Sequence, residues 1–212
     1  MNHQRGLFIS LEGIDGAGKS SHVEFIRDYL IKHGQQVIIT REPGGTPIGE
    51  QIRQLLLNHG KMHHNTELLL YFASRQENIQ QVILPSLNAG ICVLADRFID
   101  ASIAYQGGGR KLGIAKIRQA YALLEPQLTT DLTLLFDVPI KLALERIKRS
   151  RQLDRIELES EEFFIRVQQT YHQLMHAEPQ RIKHILTNQE YAITRQKITT
   201  ELDRILANRQ GN

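Results

Sequence analysis

Gly13-Ile14-Asp15-Gly16-Ala17-Gly18-Lys19-Ser20 spells G-x-x-x-x-G-K-[ST], directly after an apolar run and directly before a helix-forming stretch. That spacing suits one chemistry, a grip on the phosphates of a nucleotide. Glycines let successive backbone N–H groups turn inward around phosphate oxygens, at a helix N-terminus whose dipole favours anions. Lys19 then reaches the β- and γ-phosphates, the Ser20 hydroxyl ligates Mg²⁺, and Ser21 completes the ATP-binding run that begins at Gly13. An ordinary glycine-rich turn has no need of Lys-Ser after its last glycine.

A second set of charges stands at the end of the run "ICVLADR" (Ile91–Arg97). Asp96 is placed to hold Mg²⁺ through water, the usual task of an acidic group on a strand beside such a loop. Arg97 points into the same crevice. A phosphate grip alone serves a hydrolase, a motor, a switch or a kinase. A cation for a second anion favours phosphoryl transfer, in which positioning and charge neutralisation do most of the work.

These groups need a frame. "LFISLE" (Leu7–Glu12), "QVIIT" (Gln36–Thr40), "ICVLAD" (Ile91–Asp96), "LTLLFD" (Leu132–Asp137) and "HILT" (His184–Thr187) read as strands, apolar enough to be buried on both faces. Helices are predicted over Lys19–His33, Pro47–Asn58, Thr66–Asn88, Ile114–Leu124, Pro139–Arg149, Glu161–His176 and Tyr191–Asn208. Gly34 marks a helix stop, Asn65 an N-cap and Pro139 a first helical position. Strand–helix alternation implies an α/β fold of three layers, a five-stranded parallel sheet flanked by helices. Ligands of such folds gather beyond the carboxyl ends of the strands. Asp15, Arg41, Glu42, Asp96 and Arg97 all fall there.

With 212 residues, no linker and no internal repeat, residues 1–212 read as one domain. The charge balance of Lys+Arg 26 against Asp+Glu 23 lacks the basic face that nucleic acid requires. No apolar stretch approaches the roughly 20 residues that span a bilayer, and no secretory signal opens the chain. A lone Cys92 inside an apolar run reads as buried and reduced, which suits the cytoplasm. "MHH" (Met62–His64) lacks a spaced third ligand and is not read as a metal site.

The motifs "EGIDGAGKS" (Glu12–Ser20), "TREPGGT" (Thr40–Thr46), "ADRF" (Ala95–Phe98), "AYQGGGR" (Ala104–Arg110) and "LDRIE" (Leu153–Glu157) follow one another over nearly the whole chain. Together they resemble the bacterial thymidylate kinases, within the P-loop nucleoside monophosphate kinases. The resemblance implies transfer of phosphate from Mg-ATP to dTMP, giving dTDP for dTTP synthesis, in a cytoplasmic homodimer. Another pyrimidine monophosphate as acceptor and a non-enzymatic nucleotide switch are the competing readings.

By resemblance, Asp15 receives the deoxyribose 3′-hydroxyl, Arg97 the dTMP phosphate, and Arg75 the thymine edge. Tyr71 or Phe72 stacks on thymine. Ser102 and Gln106 meet the base, Tyr105 crowds the ribose 2′ position, Pro43 lies near the sugar or base, and Arg53 is a further pocket arginine. The basic stretch Glu145–Glu157 resembles a lid over ATP, spanning about residues 148–157. Gly16 stands where some relatives carry a P-loop arginine, so a lid cation must cover the transferring group. Arg149, Arg151 and Arg155 compete for that role, with Arg151 preferred. Lys19, Arg97 and Arg151 thus form the expected catalytic set.

Overall fold

The computed structural model describes residues 4–150 and 153–210. Among them β1 (Phe8–Glu12), β2 (Val37–Arg41), β3 (Cys92–Asp96), β4 (Leu132–Asp137) and β5 (Ile182–Leu186) form one parallel sheet in the order β2-β3-β1-β4-β5. Helices cover both faces, so the expected three-layer α/β architecture holds. The central strands β1, β3 and β4 are buried almost throughout, as their apolar runs require. Fully burying one Leu, Ile or Phe side chain in such a sheet contributes about 1.5–3 kcal/mol. The edge strand β2 departs from expectation: Ile39 is exposed and Val37 and Ile38 are half-buried, because among the described residues no strand pairs beyond it.

Helices α1 (Ser20–Lys32) and α9 (Tyr191–Gln210) pack together on one face. On the other, α8 (Glu161–Ala177) lies against a helical segment that the glycine-rich "YQGGG" hides from a sequence reading. There α5 (Ile99–Ser102) continues as a π-helical stretch, Ile103–Gly109. Gly108 permits this packing, since a Cβ there would collide with Thr170 of α8.

The long helix predicted over Thr66–Asn88 is α3 (His64–Asn78), a π-helical turn Ile79–Ile83 and α4 (Leu84–Asn88) in continuous succession. Pro85 supplies the reason: it cannot donate a ladder bond, so the helix widens just before it. The cap of α3 is His63, whose Nδ1 accepts from the Asn65 N–H at 3.2 Å, rather than Asn65. Helices α2 (Pro47–Asn58), α6 (Ile114–Tyr121) and α7 (Ile140–Ser150) lie close to their predicted bounds. Pro139 immediately precedes α7. Strand β5 starts earlier than expected, because the half-buried Lys183 and His184 break its apolar run.

Candidate functional site

The loop from Gly13 to Lys19 turns between β1 and α1. Gly13 has φ +127°, and a Cβ there would collide with the Phe136 carbonyl on the neighbouring strand, so only glycine closes this turn. Ile14 and Ala17 bury their side chains beneath the loop and contribute backbone alone. Lys19 lies folded over the turn, donating from Nζ to the carbonyls of Gly13 at 2.9 Å and Ile14 at 3.1 Å. Burial lowers the Lys19 pKa and the Arg97 cation adds to this, while Asp15, Asp96 and Glu12 oppose it.

Gly16, Gly18, Lys19, Ser20 and Ser21 border an open cleft of about 1260 Å³ beyond the strand ends. Asp96 borders it too, and its buried Oδ1 has no hydrogen-bond partner among the described residues. A spare carboxylate oxygen and a hydroxyl on one cleft are the oxygen donors a hard divalent cation takes. The residues present therefore fit Mg²⁺.

A second cavity of about 550 Å³ opens from this cleft. Asp15 and Arg97 border both spaces and mark the junction. Arg97 holds a left-handed backbone, φ +73°, a conformation side chains seldom adopt and which the surrounding bonds must maintain. Its Nη2 donates to Asp15 Oδ1 at 2.7 Å and to the Tyr105 hydroxyl at 3.1 Å, and the guanidinium lies 4.7 Å from the Tyr105 ring centre. The Tyr105 hydroxyl in turn donates to Asp15 Oδ2. Burial opposes charge on Asp15, but Arg97 and Lys19 overcome it and hold the carboxyl well below its usual range.

Arg75 forms the floor of the second cavity, almost wholly buried. Its Nε donates to Glu42 Oε2 at 2.7 Å and its Nη2 to the Phe98 carbonyl and Ser102 Oγ, each at 3.0 Å. Nη1 remains buried with no partner among the described residues. A buried donor left unpaired is costly, which makes it a ready anchor for a ligand acceptor. Pro43, Arg53, Tyr71, Ser102, Tyr105 and Gln106 also line this cavity. Arg53 donates to the Pro43 carbonyl at 2.9 Å rather than facing solvent.

Phe72 does not line the cavity. It is buried in the core beside Tyr121 and the Arg75 guanidinium, so of the two neighbouring aromatics only Tyr71 borders the cavity. Adjacent residues of a helix face different directions, and only one can meet the same cavity.

The basic stretch divides. Arg146 clamps the phosphate loop, donating to the carbonyls of Gly16 and Thr187. Arg155 turns away, with Nε on the Leu56 carbonyl and Nη1 2.7 Å from Glu67, so it stands engaged elsewhere. Arg149 is exposed. Arg151 lies outside the described residues.

Three participants escape a reading of the sequence. Glu67, fully buried on α3, gathers Gln106, Arg110 and Arg155. Glu12 accepts from the Phe98 N–H at 2.7 Å and the Tyr171 hydroxyl at 2.8 Å. Burial, with Asp100 nearby, pushes the Glu12 carboxyl up to about 8. Of the three, only Glu12 carries a signal, as a charge at the end of an apolar strand. Glu67 and Tyr171 look like ordinary helix positions.

The family model described as thymidylate kinase matches residues 11–198. A thymidylate kinase of Nitrosomonas europaea is 50% identical over 85% of this chain and 84% of its own length. One of Methylobacillus flagellatus is 49% identical over 92% of this chain and 95% of its own. The crystal structure of thymidylate kinase from Ehrlichia chaffeensis superposes with a TM-score of 0.76 at 30% identity, covering 94% of this chain and 99% of that one. Matched by that family model over residues 11–198 and about half identical to these relatives over most of its length, this chain belongs to the thymidylate kinase family.

Proposed function

We propose that the two joined spaces divide the substrates as this chain phosphorylates dTMP to dTDP with ATP, a step toward dTTP. ATP takes the phosphate-loop cleft and dTMP the second cavity, so that the two phosphates meet at Arg97. The observation that carries this reading is the junction itself: Arg53 and Arg97 border both spaces, and Arg97 is paired with Asp15 of the loop that carries Lys19.

Bringing two polyanions together demands cations and little else from the protein. Lys19 leaves the Gly13 and Ile14 carbonyls for the β- and γ-phosphates. Arg97 takes the dTMP phosphate and follows the transferring group, where its charge counts most. Ser20 and Asp96 hold Mg²⁺, which supplies charge neutralisation to the ATP phosphates.

In the acceptor cavity Arg75 offers its free Nη1 to a thymine carbonyl, Tyr71 lies against the base, and Ser102 and Gln106 complete the edge. Asp15 receives the 3′-hydroxyl, and Tyr105 excludes a 2′-hydroxyl. Pro43 and Arg53 wall the sugar side. The chain works as a single domain whose residues 148–157 close over ATP and bring Arg151 in. A cytoplasmic homodimer follows from the family reading, and sedimentation of the purified chain tests its assembly.

The functional test is ADP formation from Mg-ATP with dTMP, dUMP, UMP, CMP, AMP and GMP, each beside an acceptor-free blank. A dTMP-dependent rate above all others is expected. ADP release independent of acceptor would refute the assignment of the second cavity.

A further inference from the structure

Away from the cleft, three metal-ligating side chains converge from distant parts of the sequence. Asp137 ends β4, His184 lies in β5 and His172 on α8. Both imidazoles place Nε2 at 2.8 Å from one carboxylate oxygen, Asp137 Oδ2. The three ligand atoms all lie within 4.8 Å of one another. None of these residues borders either substrate space.

We infer that Asp137, His172 and His184 form a binding site for a divalent transition-metal ion of the zinc class, distinct from the Mg²⁺ position in the cleft. Three features support it. First, two imidazole nitrogens and one carboxylate oxygen suit zinc, whereas Mg²⁺ prefers oxygen alone. Second, the carboxylate is already oriented. Its other oxygen, Oδ1, accepts from Gln168 Nε2 at 2.6 Å and from the Val138 N–H at 3.0 Å. Such outer partners are what a metal-binding carboxylate requires. Third, the His172 and His184 side chains are 37% and 36% exposed, which leaves an ion a path in and a fourth position for water.

Zinc bonds of about 2.0–2.2 Å require donor atoms little more than about 3 Å apart, so small ring rotations complete the set. The ion takes the place of the two Nε2–Asp137 hydrogen bonds, each imidazole turning its Nε2 lone pair to the metal and carrying its proton on Nδ1. It ties α8 to β4 and β5 one residue from Tyr171, whose hydroxyl donates to the buried Glu12 at the end of β1.

The test uses the full, untagged chain stripped with chelator. Equilibrium dialysis against Zn²⁺ in a large excess of Mg²⁺ is expected to leave one zinc per chain. Co²⁺ in its place is expected to give the visible absorption of a low-symmetry nitrogen-and-oxygen site. His172→Gln and His184→Gln, which keep a hydrogen-bonding group toward Asp137, should each weaken zinc binding by about 10–100-fold. Zinc should raise the melting midpoint of the parent chain and leave that of the double variant unmoved. Retention of the same zinc by the double variant, or no zinc on the folded parent, overturns the inference.

Discussion

The phosphate loop and the second cavity solve opposite problems. The loop is eight consecutive residues whose side of the work falls to backbone, the Ser20 hydroxyl and one lysine. The second cavity is assembled from α2, α3, the turns that follow β2 and β3, and the helical segment after β3, and its buried arginine is held by a carboxylate 33 positions away. One region binds with groups that are local and open to the cleft. The other keeps its charge poised by burying it with an opposite charge, which makes recognition and folding the same interaction. Loss of the Lys19 side chain should therefore cost chemistry above all, and damage to the buried pair of the cavity should cost stability as well.

The largest effect expected is at Lys19. Lys19→Ala should lower kcat by about a hundred- to a thousandfold, the scale of removing one preorganised cation or donor. Calorimetric dTMP affinity should stay within about twofold, since its partner is the other substrate. An equal loss of dTMP binding would dissolve the division between the two regions.

Glu42→Gln tests the opposite half. It leaves Arg75 buried beside a neutral group, and breaking a buried pair costs about 3 kcal/mol or more. Urea unfolding should show that loss, and dTMP affinity should fall with it. A variant as stable as the parent would mean that the cavity, like the loop, is built without a stability penalty.

The smallest effect is a change of slope with pH. A folded-state value of about 8 for Glu12, against an ordinary carboxyl near 4.5, means the folded protein keeps a proton the unfolded chain has released. Stability should then fall as pH rises through that interval. Asp15, held below its usual range, contributes in the opposite sense: its stabilisation is present above the ordinary carboxyl pKa and is lost as pH falls. Glu12→Gln, isosteric and uncharged, should flatten the neutral limb and leave the acid limb intact in pH-dependent unfolding. A neutral limb unchanged in the variant would place its proton elsewhere.

Much of this molecule is legible in its residues. The phosphate loop, Asp96 and Arg97 can be placed because a strand end and a fixed spacing put them on one edge of the sheet. The resemblance to thymidylate kinases then names Arg75, Tyr105 and Gln106, all of which reach the second cavity. The helical stretch Ile99–Gly109 is illegible for a physical reason. Three glycines lower helix propensity, and only close packing against α8 overrides it.

Local order along the chain is enough for the parallel α/β frame, the phosphate grip and the family, because hydrophobic runs and contiguous motifs act over short distances. Long-range packing set what remained. It chose Tyr71 over Phe72 as the cavity wall, turned Arg155 onto Glu67, joined Tyr171 to Glu12 across 159 positions and brought two histidines onto Asp137. Each of those depends on the direction of a side chain in a packed interior, and no local pattern carries that direction.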